Sequence, residues 1–422
     1  LNRAASRQSR SVKSLLAEGH RDMSDRAVQK VFAAYHDRLK ATKQPLKNLK
    51  AIDALVHCRT ASMGTSYYAC TDQHPGIEVH HSCRNRACYL CAQKKRVEWV
   101  EKQKQRLLDV PHFHVIFTLP HEYLSLWRYN ESLFAQIIFR ASQTTLLTLL
   151  ADDRHGGLKP GILMALHTWG RQLNLHPHTH CLVTAGGLDR QGNWKALNSF
   201  LLPGSVIRTV YRGRLQGLVK EAFESGDLCL PPDMTRDTFW AVYRSLYKKS
   251  WSVRIEERYE HGKGVLLYLA RYCKGGPVNP RQLKRIDAGG IEMSYLDHRD
   301  KRVKSQRLRP EEFIRRVLLH VPPQGLHTLR YCGVYAPAAK QDYRRCRNAC
   351  GTLAMVRPAE DCSSPVYYCS TCGGASRLTS RCWPSRGKGN SFNRASVLHH
   401  RAGGSVQQAD EQYLEKSSYD SS

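Results

Sequence analysis

Three histidines at alternate positions, His176-Pro-His178-Thr-His180, followed by Cys-Leu-Val, constrain this chain more than any other stretch. Alternation is the period of a strand, and on a strand all three imidazoles project from one face. A lone strand histidine is usually a satisfied core residue. An alternating set is harder to bury, because every ring needs hydrogen-bond partners. His178 and His180 aim at one point, which suits a divalent metal ion. His176 precedes Pro177 and belongs at the strand entrance. Residues 160–188 hold two apolar runs separated by Gly170–Leu175, which predicts a hairpin. A turn centred near Leu173 puts the partner of 178–180 near 166–168, so His167 is the third donor, with His114 the alternative.

The flanking chain supplies enough structure for a large core. It has 422 residues, 41% hydrophobic and 9% aromatic, as folded proteins have. Apolar spacing at Val28, Val31, Phe32 and Tyr35 predicts a helix within 1–50. A basic helix follows at Lys94–Leu108, then a buried strand at 111–120 ended by Pro120. Helices are predicted at 131–151, 205–225, 234–250, Gly264–Lys274 and 310–320, and an exposed ribbon at 290–309. The last forty residues, rich in Ser, Gly, Arg and Asn, read as disordered.

Lys plus Arg number 65 against 36 Asp plus Glu, a formal charge of +29. Such an excess on a folded chain points to a polyanion, nucleic acid before an anionic membrane. No run of about 18 apolar residues is present, so no membrane span is expected. The N-terminus has no apolar h-region of a secretory signal. It begins with Leu, as a fragment or a chain without its initiator would. Fifteen cysteines, an odd number without an export signal, argue for reduced thiols and metal binding rather than a disulfide framework.

Four of those cysteines and one histidine carry the clearest metal pattern. Cys88-x2-Cys91 is a knuckle that turns two thiolates onto one zinc ion. Cys70 and His74 offer the other pair, and Cys83 is a further candidate ligand. Zinc there would hold Arg84, Arg86, Lys94, Lys95 and Arg96 as a fixed basic surface for phosphates. Near the C-terminus, Cys346-x3-Cys350 and Cys369-x2-Cys372 suggest a second, ribbon-like zinc site, weighed equally against an unstructured tail.

Tyr268 and Tyr272 stand four apart and share one face of a helix. Alone, that pair reads as core. Beside a metal-polarised phosphate, a tyrosine oxygen can attack phosphorus and form a phosphotyrosine.

Together these motifs resemble, in family order, the two-tyrosine HUH transposases of rolling-circle insertion sequences and common-region elements. The resemblance runs over roughly residues 50–335, through Ser82–Cys91, Phe113–Pro120, Ala165–Gly170, His176–Val183, Tyr268–Tyr272, Glu312–Arg316 and Leu329–Gly333. It departs where Cys70 and His74 replace a second C-x2-C, at Ala87, at Tyr89-Leu90 and at Thr179. The resemblance implies an α+β fold: an HUH endonuclease domain with a central antiparallel sheet flanked by helices, preceded by a small zinc-binding domain. The domains expected are 1–50 helical, 51–110 zinc-binding, 111–335 catalytic, 336–383 Cys-rich and 384–422 tail.

It further implies His178 and His180 as ligands of catalytic Mg²⁺ or Mn²⁺, and Tyr268 and Tyr272 as nucleophiles on single-stranded DNA. One tyrosine would take a 5′-phosphate and free a 3′-OH, and the second would cut the other element end. No phosphate loop is present, so unwinding and replication fall to host enzymes. The expected location is a bacterial cytoplasm, on the nucleoid through DNA. The rivals are a plasmid replication initiator or relaxase of the same chemistry, a non-catalytic zinc-dependent DNA-binding regulator, and a metallohydrolase, which would lack a nearby carboxylate.

Overall fold

A computed structural model of the chain describes residues 26–197, 202–259, 277–278, 280–287, 290–297, 300, 302–351, 367–384 and 395–399. The chain divides into two units. One comprises Leu1–Val56 with Arg84–Arg357, the other His57–Cys83 with Pro358–Ser422.

The first unit is built on a six-stranded antiparallel sheet. Its strands are β1 (His112–Thr118), β2 (Lys159–Trp169), β3 (Leu175–Leu188), β4 (Trp194–Ala196) and β5 (Val253–Tyr259), with β9 (Leu329–Gly333) at one edge. The order is β9-β2-β3-β1-β5, and β4 pairs with β3. Between β5 and β9 in sequence, β6 (Leu283–Asp287), β7 (Gly290–Leu296) and β8 (Val303–Leu308) form a separate antiparallel sheet in the order β8-β7-β6.

Helices α1 (Ala27–Ala34), α2 (His36–Ala41) and α3 (Leu46–His57) come first. They are followed by α4 (Tyr89–Arg106), α5 (Leu124–Tyr129), α6 (Glu131–Ala151), α7 (Gly204–Glu224), α8 (Arg236–Tyr247), α9 (Pro310–Leu318) and α10 (Lys340–Ala349). The expected first helix buries Val28, Val31 and Phe32, but it stops at Tyr35, which is its C-cap. The Gly264–Lys274 helix lies outside the described residues. Within the expected tail, Ala395–His399 is a strand paired with Ser380–Pro384, so that stretch is ordered by backbone pairing that composition does not reveal.

Both faces of the central sheet are covered, which is why β2 and β3 read as near-continuous apolar runs. On one face Ile162, Met164, Leu166, Cys181 and Val183 pack with Phe134, Ile138 and Ala141 of α6 and Ile207, Tyr211 and Leu215 of α7. On the other, Leu163 and Leu182 pack with Trp99 and Val100 of α4 and with Leu108, Val334 and Tyr335. Helix α6 is long and apolar enough to cross a membrane. Its buried Phe134, Ile137, Ile138, Ala141, Thr145 and Leu149, spaced three and four apart, instead make it a core helix of the unit.

The second unit is a five-stranded antiparallel sheet drawn from two distant stretches of chain. Thr65–Cys70 lies between Ile77–His80 and Ala375–Pro384, in register from Thr65 opposite Cys382 to Cys70 opposite Ser376. Tyr367–Tyr368 and Ala395–His399 pair with Ala375–Pro384.

Candidate functional site

The predicted hairpin is β2 and β3, with His167 opposite His178, Leu166 opposite Thr179 and Ala165 opposite His180. Directly opposed residues share a face, so His167, His178 and His180 gather on the side of Leu163 and Leu182. Thr179 points the other way, where its hydroxyl meets Ser142 of α6 at 3.0 Å. The turn closes tightly: Leu173 adopts φ +59°, and Gly170 N–H donates to the Asn174 carbonyl at 2.9 Å.

The three imidazoles each offer a nitrogen, and those atoms lie within 4.8 Å of one another. His178 Nδ1–H donates to the His176 carbonyl at 2.6 Å, which leaves Nε2 of His178 as a lone-pair donor. That nitrogen faces Nε2 of His180 at 3.0 Å. Behind His180, its Nδ1 meets Nε2 of His114 at 2.8 Å. When Nδ1–H of His180 donates to His114, two lone pairs converge from His178 and His180, and a cation between them resolves the repulsion. His114 then acts as the outer partner that orients a ligand ring. The two third-donor candidates therefore occupy different places: His167 stands beside the pair, its ring centroid 4.3 Å from that of His180, and His114 stands behind it.

Burial sets the protonation state. Desolvation, aided by the neighbouring imidazoles, holds His167 and His180 well below the ordinary histidine range. It brings His178 and His114 down to about 4. All four rings are neutral near pH 7, the form in which imidazole ligates a metal. Three nitrogens with no carboxylate among the grouped donors fit a divalent transition ion better than a hard oxygen-seeking one.

Two neighbours were not singled out from the sequence. His320 bridges Thr168 Oγ1 (3.1 Å, at Nδ1) and the Leu173 carbonyl (3.1 Å, at Nε2), and so ties the β2–β3 turn to the segment after α9. Arg254 of β5 opposes Ile116, which opposes His180, and so an exposed guanidinium sits on the histidine face two strands away. Nothing in the local sequence marks either residue; the pairing register places Arg254, and hydrogen bonds to the turn place His320. Tyr268 and Tyr272 lie outside the described residues.

The cysteines group differently from the sequence expectation. Cys70 and His74 come together with Cys369 and Cys372, all within the second unit. Cys346 and Cys350, expected to share a site with Cys369 and Cys372, belong to the other unit. They sit on and after α10 in the first unit, where Cys346 is buried with Leu108, Val334 and Tyr335 and Cys350 packs against the same core. Burial pushes their thiols up to about 12 and about 11, away from the thiolate form that a metal needs. Cys88 is the N-cap of α4 and Cys91 lies in its first turn, both buried; Cys83 closes the first segment of the second unit.

Among the basic residues, Arg86 donates to the Leu326 carbonyl at 2.5 Å and to Thr328 Oγ1 at 3.2 Å, and Lys95 donates to the Arg84 carbonyl at 2.6 Å. These acceptors are neutral, so the positive charges are positioned without being cancelled. Arg84 adopts φ +53° and is exposed, Arg96 is half-buried on α4, and Lys94 occupies the same helix.

Comparison with known proteins agrees with this architecture. Residues 161–342 match a family described as putative transposase, and residues 27–119 match a transposase zinc-binding domain. The putative transposase y4qJ of Sinorhizobium fredii is 32% identical over 81% of this chain and 88% of its own length. The transposase for insertion sequence element IS801 of Pseudomonas savastanoi pv. phaseolicola is 31% identical over 68% of this chain and 72% of its own. No solved structure matches the chain. The histidine-bearing hairpin falls inside the first match and the Cys88–Cys91 knuckle inside the second, and the chain belongs to this family of transposases with an IS91-type zinc-binding domain.

Proposed function

We propose that the protein nicks and rejoins single-stranded DNA at the ends of a mobile element, through a 5′-phosphotyrosine intermediate, in rolling-circle transposition. The observation that carries this reading is the convergence of His167, His178 and His180 on one sheet face in a chain of the transposase family. These residues would hold Mn²⁺ in preference to Mg²⁺, and the bound ion would polarise the scissile phosphate. The two facing Nε2 atoms stand 3.0 Å apart, close enough for one ion to be held by both.

The chain's own residues divide the remaining work. His114 and the His176 carbonyl fix the two ligand rings. Arg254 approaches the phosphate from the same face. Tyr268 and Tyr272 supply the attacking oxygens, one holding the first DNA end while the other cuts the second. Cys88 and Cys91 would hold structural zinc, which would steady the basic surface of Arg84, Arg86, Lys94, Lys95 and Arg96 against the DNA backbone. Host replication and unwinding enzymes supply the single strand, at the nucleoid of a bacterial cytoplasm.

The test is incubation with labelled single-stranded oligonucleotides carrying candidate ends and Mn²⁺ or Mg²⁺. A covalent protein–DNA adduct is expected, and it should disappear in the Tyr268→Phe/Tyr272→Phe double variant. An adduct that persists there overturns the nucleophile assignment, and one that forms equally in EDTA overturns the metal.

A further inference from the structure

We infer that Cys70, His74, Cys369 and Cys372 form one structural zinc site that joins two stretches of chain about three hundred residues apart. The family matches end at residues 119 and 342, so Cys369 and Cys372 lie beyond both. The inference concerns this unit alone and does not rest on the strand-transfer chemistry.

Four observations support it. First, the donors converge: one ligand atom from each residue, all within 4.8 Å of one another. Cys70 Sγ lies 3.6 Å from His74 Nδ1 and 3.4 Å from Cys372 Sγ. Tetrahedral zinc, with Zn–S near 2.3 Å and Zn–N near 2.0–2.1 Å, spaces such pairs at about 3.6 Å and about 3.8 Å.

Second, the backbone treats three sulfurs as acceptors. Asp72 N–H points to Cys70 Sγ, Thr371 N–H to Cys369 Sγ and Gly374 N–H to Cys372 Sγ, each at 3.4 Å. In every case the donor is the residue two positions on. Oriented amides of this kind favour the thiolate.

Third, the local turns curl both donor pairs inward. Gln73 takes φ +58° between Cys70 and His74, and Gly373 takes φ +71° directly after Cys372. Gly373 N–H closes the second turn on the Cys369 carbonyl at 2.9 Å.

Fourth, the sheet delivers the two turns to the same end. Cys70 opposes Ser376 at the close of one strand and the opening of the other, so each knuckle hangs from its own strand where the two are in register. The donor set Cys₃His belongs to closed structural zinc sites. A Cys70–Cys372 disulfide is the competing use of the same sulfurs, but it would leave Cys369 and His74 aimed at nothing.

The experiment measures zinc content of the purified full chain by mass spectrometry. Cys70→Ser and Cys369→Ser/Cys372→Ser should each lose one equivalent of zinc per chain, and the triple variant should lose no more than either. Full zinc in either variant, or two equivalents lost from the triple variant, overturns a shared site. His74→Cys serves if the serine variants unfold. It should keep the metal and, loaded with Co²⁺, show stronger thiolate-to-cobalt absorption than the parent chain. Unchanged absorption overturns the assignment of His74, and a Cys70–Cys372 disulfide peptide recovered from protein prepared without oxidant overturns the site.

Discussion

At the scale of single residues, the histidine cluster rests on hydrogen bonds that fix ring orientation. His114 touches no proposed substrate, yet it orders His180. His114→Ala is expected to weaken activation by Mn²⁺ about 10–100-fold, the range typical of outer partners of metal ligands. His114→Gln, whose amide oxygen can still accept from His180, should recover much of it; titration of nicking against Mn²⁺ checks both. Outside the cluster, His112 and His320 are buried neutral, and burial takes each down to about 4. His112 Nδ1–H donates to the Val110 carbonyl at 2.7 Å, and its Nε2 accepts from the Tyr335 hydroxyl at 2.9 Å. The unfolded chain takes up protons near pH 6.5, whereas the folded chain resists until about 4. The stability these residues contribute is therefore complete above pH 6.5 and lost as pH falls towards 4, at about 1.4 kcal/mol per pKa unit. Urea midpoints measured from pH 7.5 to pH 4.5 should fall, and His112→Phe should blunt the fall unless loss of the Tyr335 bond unfolds the chain.

At the scale of elements, the β2–β3 hairpin is the part most legible in the sequence. Alternation gave its strand period, the Gly170–Leu175 gap gave its turn, and the two together gave the pairing of 166–168 with 178–180. Legibility ended where a contact depends on a distant element. His320 lies in an ordinary apolar stretch, and only the fold brings it under the turn. His320→Ala removes two hydrogen bonds at a buried site and should cost about 1–3 kcal/mol. Because the same turn aligns His167 with His178, the variant should also lose metal affinity. Isothermal titration with Mn²⁺, alongside thermal melts, separates the two effects. Helix α9 shows sequence signals adding up locally. Pro310 opens it, Glu311 and Glu312 occupy the positive end, and Glu312 pairs with Arg315 and Arg316 at 2.7 and 2.6 Å. The cysteines show the opposite. Spacing singled out the Cys369–Cys372 knuckle but could not say that it meets Cys70 and His74, since a knuckle encodes its own turn and nothing about its partner, and it also paired Cys346 with Cys350, which the core takes up.

At the scale of the whole molecule, the charge of +29 acts on DNA as a field rather than as chemistry. Affinity for DNA should drop steeply as salt rises, because Lys and Arg release counterions from phosphates. Fluorescence anisotropy from 50 to 300 mM NaCl measures the slope, and a flat response would remove the electrostatic account. The interleaved second unit carries a consequence for the timing of synthesis. The strand Thr65–Cys70 emerges early from the ribosome, but its neighbour Ala375–Pro384 follows some three hundred residues later. At about 5–20 residues per second the delay is roughly 15–60 s. Throughout that interval the early strand has no mate on one edge. A nascent or prematurely terminated copy thus carries the histidine hairpin without a completed second sheet, and a frameshift between the two stretches reaches back to an element encoded some three hundred residues before it.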